Sequence, residues 1–94
     1  MPLDKVREDI SKVDREIIRL ISKRQDYAGK IARIKISKGT PIHDEHRTTE
    51  VLESAFEQAV EYRIDPVAVQ KIFEILITMS EERQRECSGE GNLP

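Results

Sequence analysis

From Asp4 to Lys38 the apolar positions fall at Val6, Ile10, Val13, Ile17, Leu20, Tyr27, Ile31 and Ile34, and steps of three and four lay an apolar stripe along a helix. No proline interrupts the run, and its one glycine is Gly29. It ends at Gly39-Thr40-Pro41, a glycine free to close a helix in the left-handed conformation with a proline behind it that cannot extend one. Asp44 then offers a capping carboxylate to a second helix, whose buried face is expected at Val51, Leu52, Ala55, Phe56, Ala59 and Val60. Asp65-Pro66 places a cap before proline at the first helical position, and Val69, Ile72, Phe73, Leu76 and Met79 predict a third helix. The pattern gives an all-α chain of three helices, one long and two short. Residues 1–87 read as a single helical domain and 88–94, beginning Ser-Gly-Glu-Gly, as a flexible C-terminal tail.

The first helix is too long for a monomer of this size. About 34 residues at about 1.5 Å each make a rod of roughly 50 Å, whereas a compact chain of this length has a radius of gyration of about 13 Å. Its stripe is apolar along nearly its whole length, and leaving half of it in water forfeits burial that a small domain needs. A two-fold dimer, with the long helices side by side and the short ones packed across them, covers that face. A straight coiled coil is the rival arrangement, but it leaves the two short helices without a surface.

Composition narrows the function. The 94 residues carry 16 basic and 18 acidic side chains, and aromatics are 4% with no Trp, which argues against a base-stacking nucleic-acid surface. The charge is unevenly placed: residues 1–40 hold eleven basic and six acidic side chains, residues 41–94 five and twelve, so the first half can attract anions. A lone cysteine, Cys87, closes no internal disulfide. Charges at Asp4, Lys5, Arg7, Glu8 and Asp9 break any signal-peptide pattern, and no run approaches the ~20 apolar residues of a membrane span. A cytoplasmic protein with no membrane partner is expected.

Polar residues on the apolar register are the candidates for chemistry. Arg24 falls in line with Val13, Ile17, Leu20, Tyr27, Ile31 and Ile34, where burial without an anion is costly. Either an acid of the second or third helix pairs with it, or an anionic ligand does. Lys35, eleven residues on, returns to within about 20° of the same face and about 16 Å along the axis. The two could bracket a small dianion, although a lysine near a helix C-terminus is also what the helix dipole favours. Arg7 lies about 42 Å from Lys35 along one helix and cannot share a small-molecule site with it in one chain. An antiparallel-like dimer would bring it to the middle of the other long helix; alone it reads as a solvated residue beside Asp4 and Ser11. Ser80 and Gln84 end the third stripe on one face, where fraying at a helix end would also account for them. Arg47 and Thr48 follow the Asp44 cap as ordinary helix-start residues would. His43 and His46 lack further ligands nearby, so no metal site is expected. With no phosphate loop, activated nucleophile or carboxylate pair, any chemistry rests on cations and hydrogen-bond donors.

These residues resemble the all-helical class of chorismate mutases. The matching pieces are Arg7-Glu8-Asp9-Ile10 with Asp14, Lys23-Arg24 with Ala28, Ile31 and Lys35, Pro41-Ile42-His43-Asp44 with Arg47, and Ile72-Phe73 followed by Ser80 and Gln84. They run in order from about residue 4 to 86. The resemblance implies an intertwined helical homodimer that converts chorismate to prephenate, on the route to phenylalanine and tyrosine, without cofactor or metal. It further implies that Arg24 and Arg7 of the partner subunit bind the two substrate carboxylates, and that Lys35 and Gln84 donate to the ether oxygen. Arg47, Asp44 and Ser80 would line the pocket. Where the family usually has glutamate after the arginine of the second helix, this chain has Thr48. Related isochorismate-pyruvate lyases also lack that glutamate, and Asp26-Tyr27 after Gln25 is similar to them, so a lyase is the alternative enzyme. A dimeric helical interaction module, its stripe cations paired with its own acids, is the alternative outside catalysis.

Overall fold

Three helices account for most of the described residues. In the computed structural model, which describes residues 2–89, they are α1 (Leu3–Lys38), α2 (Glu45–Glu61) and α3 (Pro66–Ser88), with no strand among the described residues. Three of the helix ends have a clear local cause. Gly39 ends α1 at φ 66°, ψ 25°, and Thr40 N–H donates back to Lys35 O at 2.9 Å, so the last carbonyls are satisfied by a left-handed closing turn. Asp44 caps α2 by accepting from Arg47 N–H at 3.1 Å. Asp65 caps α3 through Val67 and Ala68 N–H at 3.0 and 3.3 Å, with Pro66 in the first turn where its missing donor costs nothing. Of the tail expected from residue 88, Ser88 is the last residue of α3 and Gly89 its cap, and residues 90–94 lie outside those described.

The closing turn of α1 gives a first prediction. An added Cβ at Gly39 meets nothing within 4 Å, so Gly39→Ala carries only the backbone cost of a left-handed L-residue, about 1–2 kcal/mol. Urea unfolding at matched protein concentration should show a midpoint lowered accordingly. An unchanged midpoint would mean that this turn is not formed in solution.

α3 is the central element: α1 packs against one side of it and α2 against another, and α1 and α2 make no helix–helix packing of their own among the described residues. The seam between α1 and α3 runs not along the large apolar stripe but beside it. Ala28, Gly29 and Ala32 are the buried residues of α1, and a Cβ on Gly29 would meet the Cys87 sulfur at 3.5 Å. Small side chains let the two helices approach closely. Ala55 and Ala59 serve α2 likewise, and Gln70 Nε2 donates to Leu52 O at 3.0 Å, tying α3 to α2.

The large apolar residues are consequently uncovered within one chain. Val6, Ile10, Val13, Ile17 and Leu20 are exposed along the free half of α1, as are Ile31 and Ile34 further on. Of the faces expected to be buried on the short helices, Val69, Phe73, Leu76 and Met79 are half-buried, but Ile72 is 56% exposed and Phe56 and Val60 are also open. They lie on sides of the short helices that no element of the same chain reaches. The radius of gyration is 16.5 Å and the molecule measures 55 × 27 × 21 Å, its long dimension being that of α1. Among the described residues no helix is long and apolar enough to cross a membrane.

Candidate active site

A cavity of about 310 Å³ opens between the second half of α1, the start of α2 and the end of α3, at the lower end of the volume range of small-ligand sites. Its walls carry Arg24 and Lys35 from α1, Arg47 and Thr48 from α2, and Ser80 and Gln84 from α3, with Asp44 at the mouth. The elements explain the convergence. Arg24 and Lys35 sit between the apolar stripe and the small-residue seam, so the seam that draws α3 in turns Arg24 toward its middle, at Leu76 O, and Lys35 toward its last turns, at Gln84. The Gly39 turn then folds the chain back and sets α2 with its first turn at the same opening.

The polar wall is built around one buried amide. Gln84 is 5% exposed; its Oε1 accepts from Lys35 Nζ at 2.9 Å and its Nε2 donates to Ser80 Oγ at 3.1 Å. Lys35 also donates to Ile42 O in the connecting loop. An ammonium has three donors and an amide nitrogen two. Lys35 therefore keeps one hydrogen, and Gln84 one, beyond the bonds they make to protein.

Arg24 reaches α3 but meets no acid there. Its Nη1 donates to Leu76 O at 3.2 Å, and no acid among the described residues forms an ion pair with it. Desolvation holds its pKa below the usual arginine value, and the neighbouring Arg47 guanidinium adds to the shift. Among the described residues the Arg47 side chain has only a long, exposed ion pair, with Glu50 at 3.9 Å. Two guanidiniums and an ammonium thus line the cavity against two carboxylates, Asp44 and Glu81, with which they form no ion pair, and the surplus of positive charge favours an anion.

Arg7 is elsewhere. It lies in a shallow depression on the first turns of α1 with Asp4, Glu8, Ser11, Lys12 and Arg15, about 26 Å along the helix from Arg24. The other seven candidate residues line the cavity; this one does not.

Two residues of the site were not singled out from the sequence for this role. Glu81 lines the cavity, and its Oε1 lies 2.8 Å from His43 Nδ1. The other ring nitrogen of His43 lies 2.8 Å from Glu45 Oε2. The signal for Glu81 was present, since Ile77, Glu81 and Gln84 recur at steps of four and three, but a glutamate among charged neighbours reads as solvent-facing. A neutral imidazole has one N–H, so donating to two carboxylates requires the protonated ring. Glu45 and then Glu81 accordingly raise the pKa of His43 above the ordinary histidine value. A pKa raised on folding stabilises the fold fully below the unfolded value, and the contribution is lost as pH rises through the folded one. NMR titration should place the His43 midpoint above about 6.5, with Glu45→Gln moving it down; a midpoint at or below the ordinary value would mean that the ring does not bridge the two acids in solution.

The chorismate mutase type II family matches residues 6–85 of the chain. A chorismate mutase of Methanocaldococcus jannaschii is 31% identical over 84 residues, which cover 89% of this chain and 85% of that protein. Bifunctional chorismate mutase/prephenate dehydratases of Buchnera aphidicola subsp. Acyrthosiphon pisum and of Enterobacter agglomerans are 25% and 28% identical over 80 and 76 residues. This chain spans 21% and 20% of the length of those two.

Proposed function

The chain belongs to the chorismate mutase type II family, and we propose that the cavity between its three helices is where chorismate rearranges to prephenate. The protein is an isomerase, a chorismate mutase. The observation that carries the site is the Lys35–Gln84 contact of 2.9 Å inside a cavity that Arg24 and Arg47 also line.

The rearrangement is intramolecular. The ether C–O bond breaks while a C–C bond forms, and no proton, electron or group enters or leaves. An enzyme can accelerate such a step by holding the folded conformer and by placing donors where negative charge develops on the departing oxygen. In this reading Arg24 takes one substrate carboxylate, and the remaining hydrogens of Lys35 and Gln84 go to the ether oxygen. An amide keeps its donor over a wide pH range, and the lysine adds charge. Arg47, Thr48, Ser80 and Asp44 shape the rest of the pocket.

The working unit in this reading is a two-fold homodimer with a site in each chain, each completed by Arg7 of the partner subunit. Support comes from the apolar stripe left open on the free half of α1 and from a radius of gyration of 16.5 Å against about 13 Å for a compact chain of this size. Covering the stripe with a second copy puts the first turns of one α1 against the middle of the other. The lone Cys87 suits a reducing cytoplasm.

Incubation of the purified protein with chorismate, followed by proton NMR, should show prephenate forming far faster than in buffer. Isochorismate in a parallel sample should release no pyruvate. Pyruvate release there without prephenate formation from chorismate would overturn the proposed chemistry.

A further inference from the structure

The cavity wall holds a carboxylate that the scheme above leaves unused. The Glu81 side chain is 17% exposed and lines the cavity together with Arg24, Lys35 and Arg47, yet none of those three cations forms an ion pair with it. Its protein partner is His43, which reaches over from the loop before α2 and donates to one carboxylate oxygen at 2.8 Å. The second oxygen keeps its lone pairs.

A carboxylate facing a substrate with two carboxylates of its own is repulsive unless it meets something it can accept from. Chorismate, as its dianion, has a single hydrogen-bond donor, the ring hydroxyl. Two acids line the cavity, Asp44 and Glu81. Asp44 is exposed and its Oδ1 caps α2 through Arg47 N–H. Glu81 is the more sheltered of the two, and its orientation is set by the imidazolium rather than by a helix end.

We propose that Glu81, oriented by His43, accepts the hydrogen bond of the substrate's ring hydroxyl and makes the enzyme selective for substrates that carry it. The inference rests on the chorismate reading of the cavity. Glu81 contacts substrate; His43 is a positioning residue, fixing one oxygen of the carboxylate and offsetting its charge so that a dianion is still admitted. Lys35 and Arg47 approach the same opening from α1 and α2 and add to that offset, while Glu45 anchors the far side of the imidazole.

The test is a cycle between the substrate hydroxyl and the glutamate. Values of kcat/KM are measured for chorismate and for its analogue with hydrogen in place of the ring hydroxyl, in wild type, Glu81→Ala, Glu81→Gln, His43→Ala and His43→Asn. A hydrogen bond to a charged group predicts that wild type prefers chorismate by about 10- to 100-fold. That preference should fall to within about threefold of unity in Glu81→Ala, because only a direct partner is coupled to the hydroxyl in this way. It should fall in part in Glu81→Gln and in His43→Ala, and return in His43→Asn, whose amide can donate from near the position of Nδ1. A preference in Glu81→Ala equal to that of wild type overturns the proposal, and should that variant not fold, an undiminished preference in Glu81→Gln does so. If His43→Ala keeps the wild-type preference, the positioning role fails. A wild type that does not convert chorismate would instead sink the reading of the whole cavity, and this proposal with it.

Discussion

Lys35→Ala is expected to lower kcat for chorismate by about 10²–10³-fold, the usual loss when one donor to a developing oxyanion is removed. Among the described residues its ammonium is the charged group that hydrogen-bonds Gln84, and the bond to Ile42 O holds the loop that leads into α2. Removing it takes away the charged donor and leaves two protein acceptors to find water, so the neutral donor on Gln84 is also less well placed. KM should rise far less than kcat falls, because the interaction strengthens as the C–O bond breaks. Circular dichroism and sedimentation should show an unchanged helix content and state of association. A variant with near-normal kcat would remove Lys35 from the reacting oxygen.

Arg24→Leu carries the second large effect, and it acts in opposite directions on activity and stability. Truncating a buried charged partner of a carboxylate costs about 2–5 kcal/mol, roughly 30-fold to several thousand-fold in binding, and kcat/KM for chorismate should fall to that extent. The free protein, by contrast, holds Arg24 at a desolvation cost and beside Arg47, with a backbone carbonyl rather than an acid as partner. A leucine, shorter and uncharged, escapes both costs, so the thermal midpoint should hold or rise while turnover collapses. Function at the expense of stability is the signature of a binding cation; a structural arginine gives the reverse. Arg24→Lys should not restore activity, since a point charge lacks the planar, two-pronged match to a carboxylate.

Much of this was legible in the sequence because it is written in local chemistry. Gly39, Asp44 and the Asp65-Pro66 pair each act on backbone groups within a few residues, and three of the six helix ends follow from them. Arg24, Lys35 and Gln84 stood out because each breaks an apolar register, and a polar residue there needs a partner whatever the fold. The helix seam was not legible in the same way. Periodicity weights large apolar residues, whereas α1 packs on α3 through Ala28, Gly29 and Ala32, where small size is what counts, and the large stripe is left for another surface. Ile72 misled for the same reason, since an apolar face shows that something is covered without showing by which chain. Glu81 and His43 were hidden because their importance lies in a contact between residues 38 positions apart, which neither residue's own helix announces.

The central claim is that the site spans two chains, with the cavity of one protomer completed by Arg7 of the partner subunit. Mixed dimers test it most directly. Arg7→Ala and Arg24→Leu chains, each inactive alone, are co-expressed with different affinity tags, and the mixed dimer is isolated and confirmed by native mass spectrometry. In that dimer one cavity has every residue intact and the other lacks both arginines, so the account predicts about half the wild-type kcat per dimer, with an unchanged KM. A verified mixed dimer as inactive as its parents would contradict it, because Arg7 would then be required within its own chain rather than across the interface.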